Sequence, residues 1–304
     1  MKVTPVKTTI FTLFALLAFA GNSVLCRMAL GEEVIDAASF TVIRLLSGVL
    51  VLLIITALMA KGPDVKPGAE SGVGKTSKGS WLAGFMLFLY ALTFSYAYVS
   101  LDTGTGALIL FGAVQITMIL ISLFRGTRLH YSEWLGMTVA FAGFVYLVAP
   151  AVNTPSLTGF ILMTVAGIAW GGYTLKGRGS VNPLADTHYN FLRTIPFILI
   201  VAVLAFQNID ISLKGLVLAV LSGAVASGIG YAVWYQALRG LSATQAAVLQ
   251  LLVPVIAAAG GVIFTDESIS LRFIIASVLV LGGIMMVVLG RYYLTRAKID
   301  KVSV

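Results

Sequence analysis

Apolar residues run in long blocks along this chain, separated by short polar or glycine-containing breaks. Ten blocks reach or approach the ~20 mostly apolar residues that a bilayer-spanning helix needs. They fall near 8–28, 36–60, 81–100, 104–124, 133–150, 157–176, 186–206, 215–236, 242–264 and 271–293. Little sequence is left over, so the pattern predicts an all-α integral membrane protein without a separate soluble domain.

The blocks also repeat. Arg44 and Arg193 are 149 positions apart, and the same offset pairs Arg27 with Lys176 and Ala20 with Ala169. Farther along, an offset of 140 pairs Ala97 with Ala237, Leu101 with Leu241, Ala107 with Ala247 and Gly143 with Gly283. The change of offset falls where the first half carries its long polar loop, at Lys61–Ser80. Residues 1–150 and 151–304 then hold five helices each, and an odd number places the two copies in opposite orientations. Two inverted five-helix repeats are a plan of secondary transporters, whose substrate site lies between the halves.

Composition changes this picture only by excluding alternatives. The chain is 59% hydrophobic and 11% charged, against about 25% charged in a soluble domain. With the first loop outside, fifteen of the 20 basic residues fall on the inner side and only Arg27, Lys214 and Arg272 on the outer. Glu32, Glu33, Asp36, Asp102, Asp210, Asp266 and Glu267 land outside. This positive-inside bias predicts a plasma membrane protein (a bacterial inner membrane in that setting) with both termini cytoplasmic. The +8 net charge is thus a topology signal that draws inner loops to anionic lipid, and it calls for no nucleic acid. Cys26 is the lone cysteine, so no intramolecular disulfide can form. Small residues such as Gly223 with Ser227, Gly136 with Ala140, Gly260-Gly261 and Gly282-Gly283 mark seams where helices can approach.

Three motifs invite other readings. Lys2 and Lys7 before an apolar run ending at Ala18-Phe19-Ala20 imitate a cleavable signal, but cleavage would remove a helix whose counterpart is present, so retention is expected. Ala69–Thr76 resembles a phosphate-binding loop with its first glycine replaced, in a loop too short for the sheet that motif needs. His130 and His188 fall on or near inner loops, and no Asp or Glu lies centrally in an expected helix, so nothing points to catalysis or to a bound metal. The chain is read as no enzyme, with no cofactor.

The candidate substrate-binding residues are Asn22, Arg44, Tyr98, Gln115, Trp170, Tyr173, Arg193, Trp234 and Gln250. Ionisable groups inside a span are costly and default to function, which selects the two arginines, although both are near enough to the helix ends to snorkel. Buried amides want a partner across helices or in a wet cavity. Tyr90, Phe94 and Tyr98 recur on one helical face, and Trp170 lies too near mid-helix to be explained as an interfacial belt residue. Pro254 interrupts the ninth block and frees backbone groups at depth.

In this order the features resemble the EamA-type, ten-helix branch of the drug/metabolite transporter superfamily. An arginine stands early in each second helix, at Arg44 and Arg193, and a basic residue follows each first helix, at Arg27 and Lys176. Ala237-Leu238, Leu241-Ser242-Ala243, Leu252-Val253-Pro254, then Asp266-Glu267 and Gly282-Gly283 complete the likeness. The chain departs from that pattern at Val114, where proline is expected, at Thr127, where an acid is expected, and at Gly21, where the second copy has Trp170. The resemblance implies export or exchange of small metabolites such as amino acids or organic acids by alternating access, without an ATP site. Nucleotide-sugar or phosphometabolite antiport within the superfamily, and a non-transporting membrane scaffold or receptor, are the alternatives. The expected partners are a small-molecule substrate and membrane lipids, with the chain acting as a monomer. No coupling ion is identified by the sequence.

Overall fold

The structure, a computed structural model, describes residues 5–60, 78–124, 126, 130–149, 155–177, 180, 182–238, 240–241 and 243–302. The phosphate-loop likeness at Ala69–Thr76 and the departure at Thr127 lie outside them. The described residues are all helix and connection, apart from one isolated antiparallel bridge between Ile35 and Ile211. In the first part, α1 (Pro5–Leu30), α2 (Ala37–Ala60), α3 (Trp81–Tyr98), α4 (Thr103–Phe124) and α5 (Tyr131–Val148) are each continuous, and α6 (Leu157–Gly177) follows them.

Beyond α6 the expected spans are interrupted. The seventh is split into α7 (Pro183–Leu192) and α8 (Ile195–Leu204). Pro196 lacks an N–H, and its ring crowds the carbonyl four residues back. The chain accordingly leaves the helix at Arg193-Thr194, where Thr194 N and Oγ1 both donate to Phe191 O, at 2.9 and 2.7 Å. The ninth breaks the same way ahead of Pro254, giving α11 (Ala243–Gln250) and α12 (Val253–Phe264). At that break Leu251 N and Leu252 N turn to Val248 O and Leu249 O, each at 3.1 Å. The eighth is α9 (Leu213–Val220) and α10 (Gly230–Leu238) joined through a π-helical stretch, Leu221–Ile229. α13 (Leu271–Val302) closes the chain and runs past the expected end of its span.

Nine helical stretches among the described residues are long and apolar enough to cross a bilayer, and Val248–Phe264 is apolar but shorter. The ninth expected block is thus helical and apolar but falls short in length among the described residues.

The interior is apolar, with Leu16, Phe40, Leu52 and Leu108 buried, but so is the perimeter. Leu50, Phe124, Leu157, Val203 and Val278 are exposed around it, whereas the polar Asn22, Arg44, Gln115 and Ser222 are buried. With lipid outside, helices gain little from burying apolar groups, so small residues and interhelix polar contacts hold them together. α5 packs on α13 where Gly136 and Gly283 meet, and a Cβ at either would lie 2.5 Å from the other's carbonyl oxygen. The π stretch packs on α2 because Gly223 is bare, since a Cβ there would lie 2.0 Å from Arg44 O. Both are seams expected from the sequence.

Alternate connections gather at opposite ends. At one end Asp36 N bonds Asp210 O and Ser212 N bonds Val34 O, each at 3.0 Å, and Lys214 pairs with Glu32. Arg272 there donates to the carbonyls of Leu147 and Ala149. At the other end Gly79 N bonds Asp186 Oδ1 at 2.8 Å and Ser80 N bonds Asn190 Oδ1 at 2.9 Å.

Candidate functional site

The buried polar and aromatic groups converge where α1, α3, α4, α6 and the π stretch meet. A small enclosed cavity of about 20 Å³ lies there, walled by Phe19, Asn22, Ser23, Tyr90, Phe94, Leu110, Phe111, Trp170, Ala226 and Tyr231. That volume suits about one water molecule, and anything larger would require the helices to part. A cleft of about 980 Å³ between α2, α3, α6 and α8 is much larger. Its walls include perimeter side chains such as Tyr96, Val99 and Leu204, which are 44%, 48% and 78% exposed. We place the site at the central cavity despite its size, because the costly buried groups surround it.

Arg44 dominates this region. It is 2% exposed, and its Nη2 donates to Tyr90 Oη at 3.1 Å and approaches Ser227 Oγ at 3.5 Å. The guanidinium lies over the rings of Tyr90 and Phe94, 5.3 and 4.8 Å from their centroids. Nη1 has no hydrogen-bond partner, and among the described residues no carboxylate pairs with this cation. A buried charge without a counter-charge is expensive. Aromatic faces and hydroxyls offset part of that cost, and an anion would offset far more.

The aromatic wall is continuous. Trp170 contacts Tyr90 at 4.8 Å, Tyr231 at 4.9 Å and Tyr173 at 5.3 Å between ring centroids. Phe19 meets Tyr231 and Trp234 edge-on at 5.9 and 5.7 Å. On the cavity's polar side, Ser222 Oγ donates to Asn22 Oδ1 at 2.6 Å, across α1 and the π stretch.

Of the residues expected from the sequence, Asn22, Arg44, Trp170, Tyr173 and Trp234 belong to this one connected cluster. Tyr98 lies a turn beyond Phe94 on α3, fully buried, with Oη donating to Thr103 O at 3.2 Å. Gln115 is buried a turn beyond Phe111 on α4, and its Nε2 has no partner. Gln250 is the last residue of α11, buried at the break.

Arg193 stands apart from Arg44. It occupies the α7–α8 break, donating to Lys78 O and, at 3.1 Å, to Tyr189 O. Its neighbours are the rings of Trp81 and Tyr189. The two arginines are therefore not brought to one point.

Sequence reasoning missed Phe19 and Phe111 as lining groups, and Ser222 and Ser227 as the partners of Asn22 and Arg44. Phe19 and Phe111 lie in uniformly apolar helices and carry no distinguishing mark. From the sequence, Ser227 reads as a packing residue of the Gly223 seam. The same small-residue seam that lets the π stretch approach α2 delivers its hydroxyl to Arg44.

The comparisons with known proteins agree with this architecture. The sequence profile of the EamA-like transporter family matches residues 157–289. An uncharacterised protein of Pseudomonas aeruginosa is 45% identical over 285 residues, covering 94% of this chain and 96% of that protein. An uncharacterised transporter of Archaeoglobus fulgidus is 28% identical over 68% of this chain and 75% of its own length. A protein of Escherichia coli named "Probable amino-acid metabolite efflux pump" is 24% identical over 67% of this chain and 77% of its own. One solved crystal structure superposes with a TM-score of 0.62 at 18% identity, over 91% of this chain and 97% of that one.

Proposed function

Because the chain belongs to the EamA-like transporter family, we propose that it is a secondary carrier exporting or exchanging small carboxylate-bearing metabolites by alternating access. Amino acids or organic acids with an apolar or aromatic part are the cargo class. As a multi-pass transporter it moves solute and performs no enzymatic step. The observation that carries the cargo class is Arg44, a cation without a carboxylate partner among the described residues, set in aromatic rings beside an enclosed cavity. A cargo carboxylate can meet the guanidinium, Asn22 and Ser222 offer neutral hydrogen bonds, and Trp170 and Tyr231 offer flat apolar surface. The name of the E. coli relative supports amino-acid export as the direction of search.

The inverted-repeat reading, with residues 1–150 facing 151–304, is supported by the helix neighbours. α3 packs on α6 as α10 packs on α1, and α4 packs on α6 as α12 packs on α1. α5 and α13, the last helices of the two halves, pack on each other. The bias of basic residues supports a plasma membrane location with both termini cytoplasmic. Phosphate-rich cargo would call for several cations at the cavity, and Arg193 lies elsewhere.

Counterflow in proteoliposomes tests the proposal. Vesicles loaded with an unlabelled amino or organic acid should accumulate the labelled compound without ATP. Robust movement of permanent cations with no movement of acids would overturn the cargo class.

A further inference from the structure

We propose that Arg27, Glu267 and Thr103 form a latch that holds the central cavity shut toward the end of the molecule where they lie, with Tyr98 as the plug beneath it. This deepens the carrier reading and rests on it. Arg27, in the last turn of α1, donates from Nε to Glu267 Oε1 at 3.1 Å. Its Nη1 reaches the terminal carbonyls of α3, Tyr98 O at 3.2 Å and Val99 O at 3.4 Å. Glu267 also accepts from Thr103 N, at 3.0 and 2.9 Å to its two oxygens, and from Thr103 Oγ1 at 3.1 Å. Thr103 opens α4, where the helix dipole favours an anion, just as the α3 terminus favours a cation. Arg27 Nη2 also lies 3.8 Å from Oδ1 of the exposed Asp102 in the α3–α4 connection, but the Arg27–Glu267 pair is the one that joins the ends of α1, α3 and α4 to the α12–α13 connection.

The backbone is shaped for this contact. Asp266 adopts φ 51°, a left-handed turn that returns the chain so that Glu267 N bonds Gly261 O at 3.2 Å. Gly261 leaves room for the carboxylate, since a Cβ there would lie 2.3 Å from Glu267 Oε2.

The latch lies directly over the cavity. Ser23 lines the cavity and Arg27 is one turn farther along α1, about 6 Å. Phe111 lines it on α4, and Thr103 is about two turns away, ~12 Å. Between them Tyr98 is fully buried, edge-on to Phe94 at 4.8 Å between centroids. Gly106 makes space for that ring, because a Cβ there would lie 2.5 Å from Tyr98 Cε1. Movement from the cavity to this end between α1, α3 and α4 passes Tyr98 and then requires the latch to part. Since Glu267 comes from the second half and its partners from the first, parting the latch separates the two halves at this end only.

The test uses a Cys26→Ser background with Ala226→Cys as a reporter on the cavity wall. A membrane-impermeant thiol reagent is applied to right-side-out and to inverted vesicles. Adding Glu267→Gln or Arg27→Gln should raise the labelling rate by about 10- to 150-fold, the population change expected on losing a charged hydrogen bond. The rise should appear from the latch end alone, and the double variant should rise by less than the product of the two single effects, because both remove the same ion pair. Arg27→Lys, a milder variant that keeps the charge, should give a smaller one-sided rise. Unchanged labelling with an unchanged melting temperature overturns the proposal, and so does an equal rise from both sides. Because this readout needs no cargo, a failure of the latch is distinguishable from a failure of the carrier reading.

Discussion

Replacing Arg44 by Gln separates a cargo-binding arginine from a structural one. The guanidinium is 2% exposed, and it has ring contacts to Tyr90 and Phe94 and hydrogen bonds to Tyr90 and Ser227. Losing those contacts affects every cargo equally, because they are made within the protein. What depends on the cargo is the charge-assisted bond from Arg44 to a carboxylate, about 1.5–3 kcal/mol, or roughly 10- to 150-fold in affinity. The assay is binding of an amino acid and of its neutral amide to purified carrier, parent and variant in parallel. Arg44→Gln should weaken the acid by that factor more than the amide. Arg193→Gln should leave the acid-to-amide ratio unchanged, because Arg193 is bonded to Lys78 O and Tyr189 O at the α7–α8 break. Equal losses of acid and amide in Arg44→Gln, with normal folding, would assign Arg44 to structure and refute the argument. A ratio that shifts only in Arg193→Gln would move the site.

Three further outcomes are expected. Trp170→Ala should weaken acid and amide alike, since it removes flat apolar surface from the cavity wall without touching the carboxylate contact; parallel binding curves check this. Reporters placed in the Lys61–Ser80 loop and after Val304 should both read cytoplasmic, and a reporter between Ala149 and Ser156 should read the opposite side. Lys75→Ala should leave counterflow intact, because the loop resembles a phosphate cradle only by composition, and lost flux at normal protein levels would contradict this.

The helices were legible in the sequence because lipid imposes one strong rule. Runs of about 20 apolar residues have few alternatives, and the described residues place helices at all ten expected blocks. The aromatic face of α3 was legible for the same reason, since Tyr90, Phe94 and Tyr98 recur at helical spacing. Pro254 marks its break in the sequence, and Pro196 marks the one beside Arg193 by the same loss of an N–H donor. The π stretch was not legible, because its small residues suit an ordinary helical seam equally well. Ser222 and Ser227 became site residues only once that seam was set against Asn22 and Arg44. The partnership of Arg27 with Glu267 spans 240 positions, beyond anything a local pattern can specify.

One proline also accounts for the divergence of the two arginines. On the two-repeat reading, the offset of 149 that pairs Arg44 with Arg193 pairs Ser47 with Pro196. Ser47 lets α2 continue, its hydroxyl bonding Arg44 O at 3.0 Å, and an unbroken helix holds Arg44 against the π stretch. Pro196 ends α7 instead, and the released turn lets Arg193 reach the carbonyls of Lys78 and Tyr189. Each arginine keeps one buried donor without a partner among the described residues, Arg44 Nη1 and Arg193 Nε, but that of Arg44 lies beside the cavity, whereas Arg193 is tied through Nη1 to the backbone at a helix break. The same ancestral cation can thus become a cargo contact in one half and a structural tie in the other. On the proposed reading, cargo meets one buried positive charge, that of Arg44, beside the cavity.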